Sequence, residues 1–199
     1  GSRGDFQPYL ALQLELQKAG HAVRMYGFEN FAKQAKQYSV DFFTLKLNIE
    51  EVLRTDPAMR EAMTEGDIKK FLEASKNVFT ADELVRAWTP FIDDLETYRP
   101  DLLITGPSSK PFGLIISWRM NIPGFIIDLQ PMSPSAEYPS MLADQMGIGG
   151  ACCGVFNRLS HKLLLSAIET DCNNSSHPVR EFCEKKLGLP ADAKLAWAD

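Results

Sequence analysis

The feature that most constrains this chain is an alternation of short β-rich runs with segments of helical spacing. Tyr9, Leu12, Leu16 and Ala19 recur every three or four residues, and Gly20 supplies the left-handed stop that ends a helix. Ala22-Val23-Arg24-Met25-Tyr26 then alternates as a strand does, and Gly27-Phe28 turns the chain into a helix expected over residues 29–38. Val40 to Leu45 reads as the next strand. The pattern resumes at Leu102-Leu103-Ile104-Thr105, an unbroken apolar run of the kind buried on both faces of a parallel sheet. A helix over 111–120 and a strand from Phe125 to Leu129 follow. Strands separated by helices pair in parallel through crossovers. The order therefore predicts an α/β fold, a Rossmann-like doubly wound parallel sheet with helices on both faces.

Between the two alternating stretches, residues 48–78 carry polar helical segments separated by Asp56-Pro57 and Gly66-Asp67, which read as a helical insertion. Thr80-Ala81-Asp82-Glu83 is a capping box that opens a helix over 81–98, and Pro90 inside it should bend it. Residues 141–154 show no period and read as a connector. Helices over 157–171 and 179–187 complete a helical C-terminal region, 156–190, with Gly188 closing the last one. A length of 199 residues with 45% hydrophobic content supports one substantial core, so a single domain over 1–199 is expected.

Several function classes are excluded by the same residues. A formal charge of −5 without clustered Lys and Arg argues against nucleic acid. No apolar run approaches the ~20 residues of a membrane-spanning helix. Cys152, Cys153, Cys172 and Cys183 lack metal-ligand spacing and read as reduced, cytosolic thiols, a Cys172–Cys183 bridge being the alternative. His21, His161 and His177 are too scattered for a zinc pair, so no metal or bound cofactor is expected. Gly147-Ile148-Gly149-Gly150-Ala151 follows no strand and lacks the Lys-Ser/Thr ending of a phosphate loop. Trp88 and Trp118 read as core or pocket-wall residues.

The opening stretch, Gly1-Ser2-Arg3-Gly4-Asp5-Phe6-Gln7-Pro8, reads as a glycine loop feeding the first helix, with Pro8 setting its first turn. A helix N-terminus presents free N–H groups and about half a positive charge, which suits an anion or a reacting group that becomes negative. A capped turn, with Asp5 accepting nearby backbone hydrogen bonds, is the alternative reading.

This opening block continues into Leu16-Gln17-Lys18-Ala19-Gly20-His21 and Glu29-Asn30-Phe31. Later come Gln130-Pro131-Met132-Ser133-Pro134-Ser135 with Tyr138-Pro139, and Phe156-Asn157-Arg158-Leu159-Ser160. Together they resemble the N-terminal, acceptor-side domain of GT-B glycosyltransferases of the sterol and lipid glucosyltransferase type. The resemblance implies transfer of a hexose from a UDP-sugar co-substrate to the hydroxyl of an apolar alcohol, a sterol or lipid-like acceptor. It also implies Asp5 as the catalytic base, Ser2 and Arg3 as substrate contacts, and Gln130, Met132 and Glu137 as residues of the cleft loop. The family's donor-binding domain has no counterpart here, so the chain is expected to need that domain or a partner chain, and to be inactive or nearly so without it. The resemblance further implies a strand immediately before Gly1; either it lies outside this sequence or another chain supplies it. Phe28 stands where the family often has histidine, which leaves open a non-catalytic binding or assembly subunit of the same fold. The expected location is cytoplasmic, with any membrane contact peripheral, through Met141, Leu142 and Met146.

Overall fold

The computed structural model describes residues 3–106, 109–129, 133–148 and 154–195, which fall into two compact units, 1–99 and 100–199. In the first unit, α1 (Arg3–Lys18) leads to β1 (Arg24–Phe28), a short 3-10 turn (Glu29–Phe31), α2 (Ala32–Gln37) and β2 (Asp41–Leu45). α3 (Ile49–Thr55), α4 (Pro57–Glu65), α5 (Ile68–Val78) and α6 (Ala81–Tyr98) follow.

β1 and β2 pair in parallel, with Met25 beside Phe42 and Tyr26 beside Phe43. Because side chains alternate along a strand, Met25 and Phe42 share one face while Arg24, Tyr26 and Phe43 share the other. The first face meets α1 and α2 through a cluster of Phe6, Leu10, Phe31, Ala35 and Val40, against which Met25, Phe28 and Phe42 pack. The second face meets α6, where the Phe91 ring stands edge-on to Tyr26 at 4.7 Å. Helices thus cover both faces of a parallel pair, the arrangement the alternation predicts.

α1 begins earlier than the sequence suggests. The expected glycine loop is already helical from Arg3, and Pro8 lies inside the helix. There it gives up the main-chain bond to the Gly4 carbonyl and crowds that oxygen, a cost of about 3 kcal/mol in a helix interior that packing of the first turn offsets. Buried Phe6 in the first turn stacks flat on Phe31, with ring centroids 4.4 Å apart and 2° between planes, which holds that turn in place. β1 also runs later than expected, reaching Phe28 rather than turning at Gly27.

The helical insertion is present as α3, α4 and α5. Its starts are fixed by side-chain caps: Asn48 accepts from the Glu51 N–H, Asp56 from Met59 and Asp67 from Lys70. Thr80 accepts from the Glu83 N–H at 3.3 Å, and α6 continues through Pro90 to Tyr98. At the opposite end of the strand pair from Phe31, buried Gln13 donates to the carbonyls of Val23 (3.0 Å) and Asp41 (3.1 Å), tying α1 to the starts of both strands.

In the second unit, β3 (Leu103–Thr105), α7 (Lys110–Met120) and β4 (Gly124–Ile126) form a β–α–β crossover with the strands parallel. α8 (Met141–Gln145), α9 (Gly154–Cys172) and α10 (Pro178–Leu187) complete it. α8 lies in the stretch read as a connector, started by Ser140, whose hydroxyl accepts from the Ala143 N–H. α10 packs on α7 through an edge-on contact between fully buried Phe182 and Phe112. The tail after α10 is not free: the buried guanidinium of Arg180 donates to the carbonyls of Pro190, Ala191 and Ala193. Cys172 and Cys183 are buried and both are free thiols.

Candidate functional site

In open α/β sheets ligands bind beyond the C-terminal ends of the strands. α1 precedes β1 and runs back against it, so its first turn lies at that end. The Phe6–Phe31 stack fixes this, since Phe31 closes the 3-10 turn directly after β1. Asp5 and Arg3 in the first turn of α1 are exposed, as is Glu29. Asn30, the residue between Glu29 and Phe31, keeps its side-chain carbonyl oxygen buried with no hydrogen-bond partner. The first unit therefore gathers a carboxylate, a guanidinium and the Glu29-Asn30 pair around one strand end. Ser2 lies outside the described residues, as do the flanking Gly1 and the cleft-loop residues Gln130 and Met132. Phe28, the departure from the family pattern, packs against the Phe6 cluster rather than standing as an isolated change.

The second unit carries the other expected element, the loop beyond β4. Its residues 133–140 run along α9 and are anchored there by buried polar side chains. Asn157 donates to the Ala136 carbonyl at 2.9 Å, and the His161 Nε2 lies 3.2 Å from the Tyr138 carbonyl. The Ser140 N–H donates to the Ser160 hydroxyl at 2.8 Å, and that hydroxyl donates to the Asn157 carbonyl at 2.7 Å. Glu137, between the two anchored carbonyls, is exposed. The sequence signal for this clamp is visible in hindsight: Asn157, Ser160 and His161 occupy one face of a helix at spacings of three and four, and all are buried.

Trp118 is a wall residue rather than a core one. It is 66% exposed and, with Leu114, Pro190 and Lys194, lines an apolar groove of about 390 Å³ between α7 and the tail. Trp88 is half-buried, edge-on to Phe91 at 5.1 Å. Among the described residues no group of three or more His, Cys, Asp or Glu is placed to hold a metal ion, and no helix is long and apolar enough to cross a membrane. Cys152, Cys153 and most of the glycine-rich stretch after Ile148 lie outside the described residues.

An exposed carboxylate beside a strand end can accept a proton from a hydroxyl, and a loop fixed by its carbonyls can present a second carboxylate. Residues 1–94 match the glycosyltransferase family 28 N-terminal domain. The chain is 29% identical over 198 residues to a sterol 3-beta-glucosyltransferase of Pichia angusta, a match covering 96% of this chain and 14% of that protein. A sterol 3-beta-glucosyltransferase of Aspergillus oryzae is 30% identical over 192 residues, 96% of this chain and 13% of the relative. One from Arabidopsis thaliana is 26% identical over 146 residues, 72% of this chain and 23% of the relative. The chain thus spans about one-seventh of the length of the fungal relatives it matches. Residues 1–94 are thus similar to a glycosyltransferase family 28 N-terminal domain, in a chain similar over nearly its whole length to sterol 3-beta-glucosyltransferases.

Proposed function

We propose that this chain is the acceptor-binding half of a UDP-sugar-dependent glycosyltransferase that transfers a hexose to the hydroxyl of a sterol or lipid-like alcohol. The observation that carries the reading is the exposed Asp5 carboxylate at the C-terminal end of β1, held there by the Phe6–Phe31 stack. Asp5 takes the hydroxyl proton while the alcohol oxygen forms its bond to the anomeric carbon; the bond from that carbon to the diphosphate breaks, and UDP leaves with the electron pair. Arg3, Ser2, Gln130, Met132 and Glu137 are the proposed substrate contacts, and no bound cofactor takes part. That the relatives are sterol 3-beta-glucosyltransferases supports the sterol acceptor, and their greater length leaves room for a donor-binding domain.

Such a domain would bind the sugar nucleotide in the main, and without it the donor is not oriented for transfer, so the chain alone is proposed to be inactive or nearly so. The protein is proposed to work in the cytoplasm, touching membranes only peripherally. Joining the chain to a donor-binding domain from a sterol glucosyltransferase and assaying sterol glucosylation tests the reading. Activity that falls by at least about a hundredfold in Asp5→Asn supports it; an undiminished rate removes Asp5 from the chemistry. A second reading, a non-catalytic binding subunit, is favoured by one observation: Phe28 packs into the Phe6 cluster where a polar group is often found in the family. No transfer from the joined protein, with sterol binding intact, would favour that reading.

A further inference from the structure

The buried polar face of α9 is unusual for a helix core. Asn157 is fully buried, His161 is 3% exposed and Ser160 is 7% exposed. Polar groups withdrawn from water are costly unless each is hydrogen-bonded, and apolar side chains would fill the same space more cheaply. Each of the three makes a hydrogen bond to the 136–140 segment or to its support.

The spacing of these bonds is specific. Asn157 and His161 are one helical step of four apart, a rise of ~6 Å. Side chains one such step apart hold the carbonyls of Ala136 and Tyr138, on either side of Glu137, across a bend in the segment. The residue between them, Glu137, is exposed. Its own N–H donates to the Ser135 hydroxyl at 3.1 Å, and the Tyr138 ring lies edge-on to His161 at 5.9 Å, so both flanks are fixed. At the start of α9, a Cβ on Gly154 would lie 3.3 Å from that of Ala136, so the helix approaches the segment closely.

The geometry points to Asn157 and His161 as positioning residues that present the Glu137 carboxylate to a substrate hydroxyl. The inference rests on the glycosyltransferase reading proposed above. A hydroxyl is the chemistry an exposed carboxylate on a held backbone receives best in such a reaction, and it can come from the hexose of the sugar nucleotide or from the acceptor alcohol. His161 grips the Tyr138 carbonyl only with Nε2 protonated, since a carbonyl cannot donate.

The test is binding by the full chain, measured separately with UDP-glucose and with cholesterol delivered in cyclodextrin. The arm that shows binding identifies the source of the hydroxyl. Glu137→Gln is expected to weaken that arm by about tenfold or more, the usual loss when a charge-assisted hydrogen bond is removed. His161→Ala should weaken the same arm comparably, and His161→Gln, which returns an N–H near the Nε2 position, should restore most of it. A melting temperature read beside each variant separates folding from positioning. Binding by the wild type that is unchanged in Glu137→Gln, or unchanged in folded His161→Ala, overturns this inference and leaves the proposed function standing. A wild-type chain that binds neither probe overturns both.

Discussion

Arg24 Nη1 lies 2.9 and 3.0 Å from the two carboxylate oxygens of Asp94, joining β1 to α6 across 70 residues of sequence. Asp94 also accepts from the Tyr26 hydroxyl at 2.7 Å, while Arg24 Nε donates to Asp41 at 3.0 Å and its guanidinium lies over the Tyr98 ring. The side chains of Arg24 and Asp94 are only 26% and 21% exposed, so removing one partner strands the other partly out of water. Asp94→Ala is expected to lower stability by ~1–3 kcal/mol, less than a fully buried pair would lose because solvent still screens it. Urea unfolding of the two proteins side by side checks this; an unchanged midpoint would show that the pair is ornamental.

A second expectation concerns alkaline pH. Burial pushes the Cys183 thiol up to about 12 from its usual 9.0. Burial, reinforced by the bond to Asp94, also raises the Tyr26 hydroxyl above its usual range. Both groups hold their protons more tightly folded than unfolded. Their contribution is therefore complete below the unfolded-state pKa and declines as pH rises toward the folded-state value. For Cys183 the decline begins near pH 9 and runs to about 12, at up to ~1.4 kcal/mol per pH unit, and Tyr26 adds the same sign at higher pH. Stability measured at pH 8, 9 and 10 should fall over the last interval, and Cys183→Ala should flatten that fall. A wild-type protein equally stable at all three would contradict the burial of the thiol.

Packing in the second unit yields a third. Gly113 of α7 faces Thr105 at the end of β3, and a Cβ there would lie 2.2 Å from Thr105 Cγ2 and 2.9 Å from its hydroxyl. Neither can move far, because Thr105 sits in the strand and its carbonyl receives the Ile127 N–H at 2.9 Å. Gly113→Ala should cost ~1–3 kcal/mol despite alanine's better helix propensity. Thr105→Ala in the same protein should recover much of the loss, which a double-mutant cycle would read as strong coupling. Additive effects would place the two residues apart.

How much of this was legible in the sequence depends on the range of the interaction. The capping box at Thr80 and the period of Leu84, Phe91 and Leu95 delimit α6 from local pattern alone, and Gly188 closes α10 at a φ of 72°. The start of α1 was misread because Gly4 and Asp5 favour turns in isolation, whereas Phe6 is held in helical register by Phe31, 25 residues away. The placement of Asp5 at a strand end could be inferred from the order of elements. The clamp on Glu137 could not, since it depends on which carbonyls of an irregular segment face a helix some 20 residues downstream. Arg24 and Asp94 carry no local sign of each other at all.

The last expectation follows from three side chains around α8. Met141 and Leu142, 47% and 36% exposed, open a helix of five residues that begins at the Ser140 cap, and Met146, 65% exposed, caps its end. Methionine and leucine at such exposure gain free energy on entering the acyl boundary of a bilayer, ~1–2 kcal/mol for each side chain that is fully buried there. The short helix lets them enter without unwinding backbone, because Ser140 and the Ile148-to-Ala143 bond satisfy its ends. Asp144 projects from the same helix and is exposed, which favours a shallow contact over deep insertion. If the proposed peripheral contact is made here, replacing the three with Ser should reduce sedimentation with sterol-containing vesicles by at least about tenfold, with the fold intact by circular dichroism. Equal vesicle binding by both proteins would move the membrane contact elsewhere on the protein or remove it.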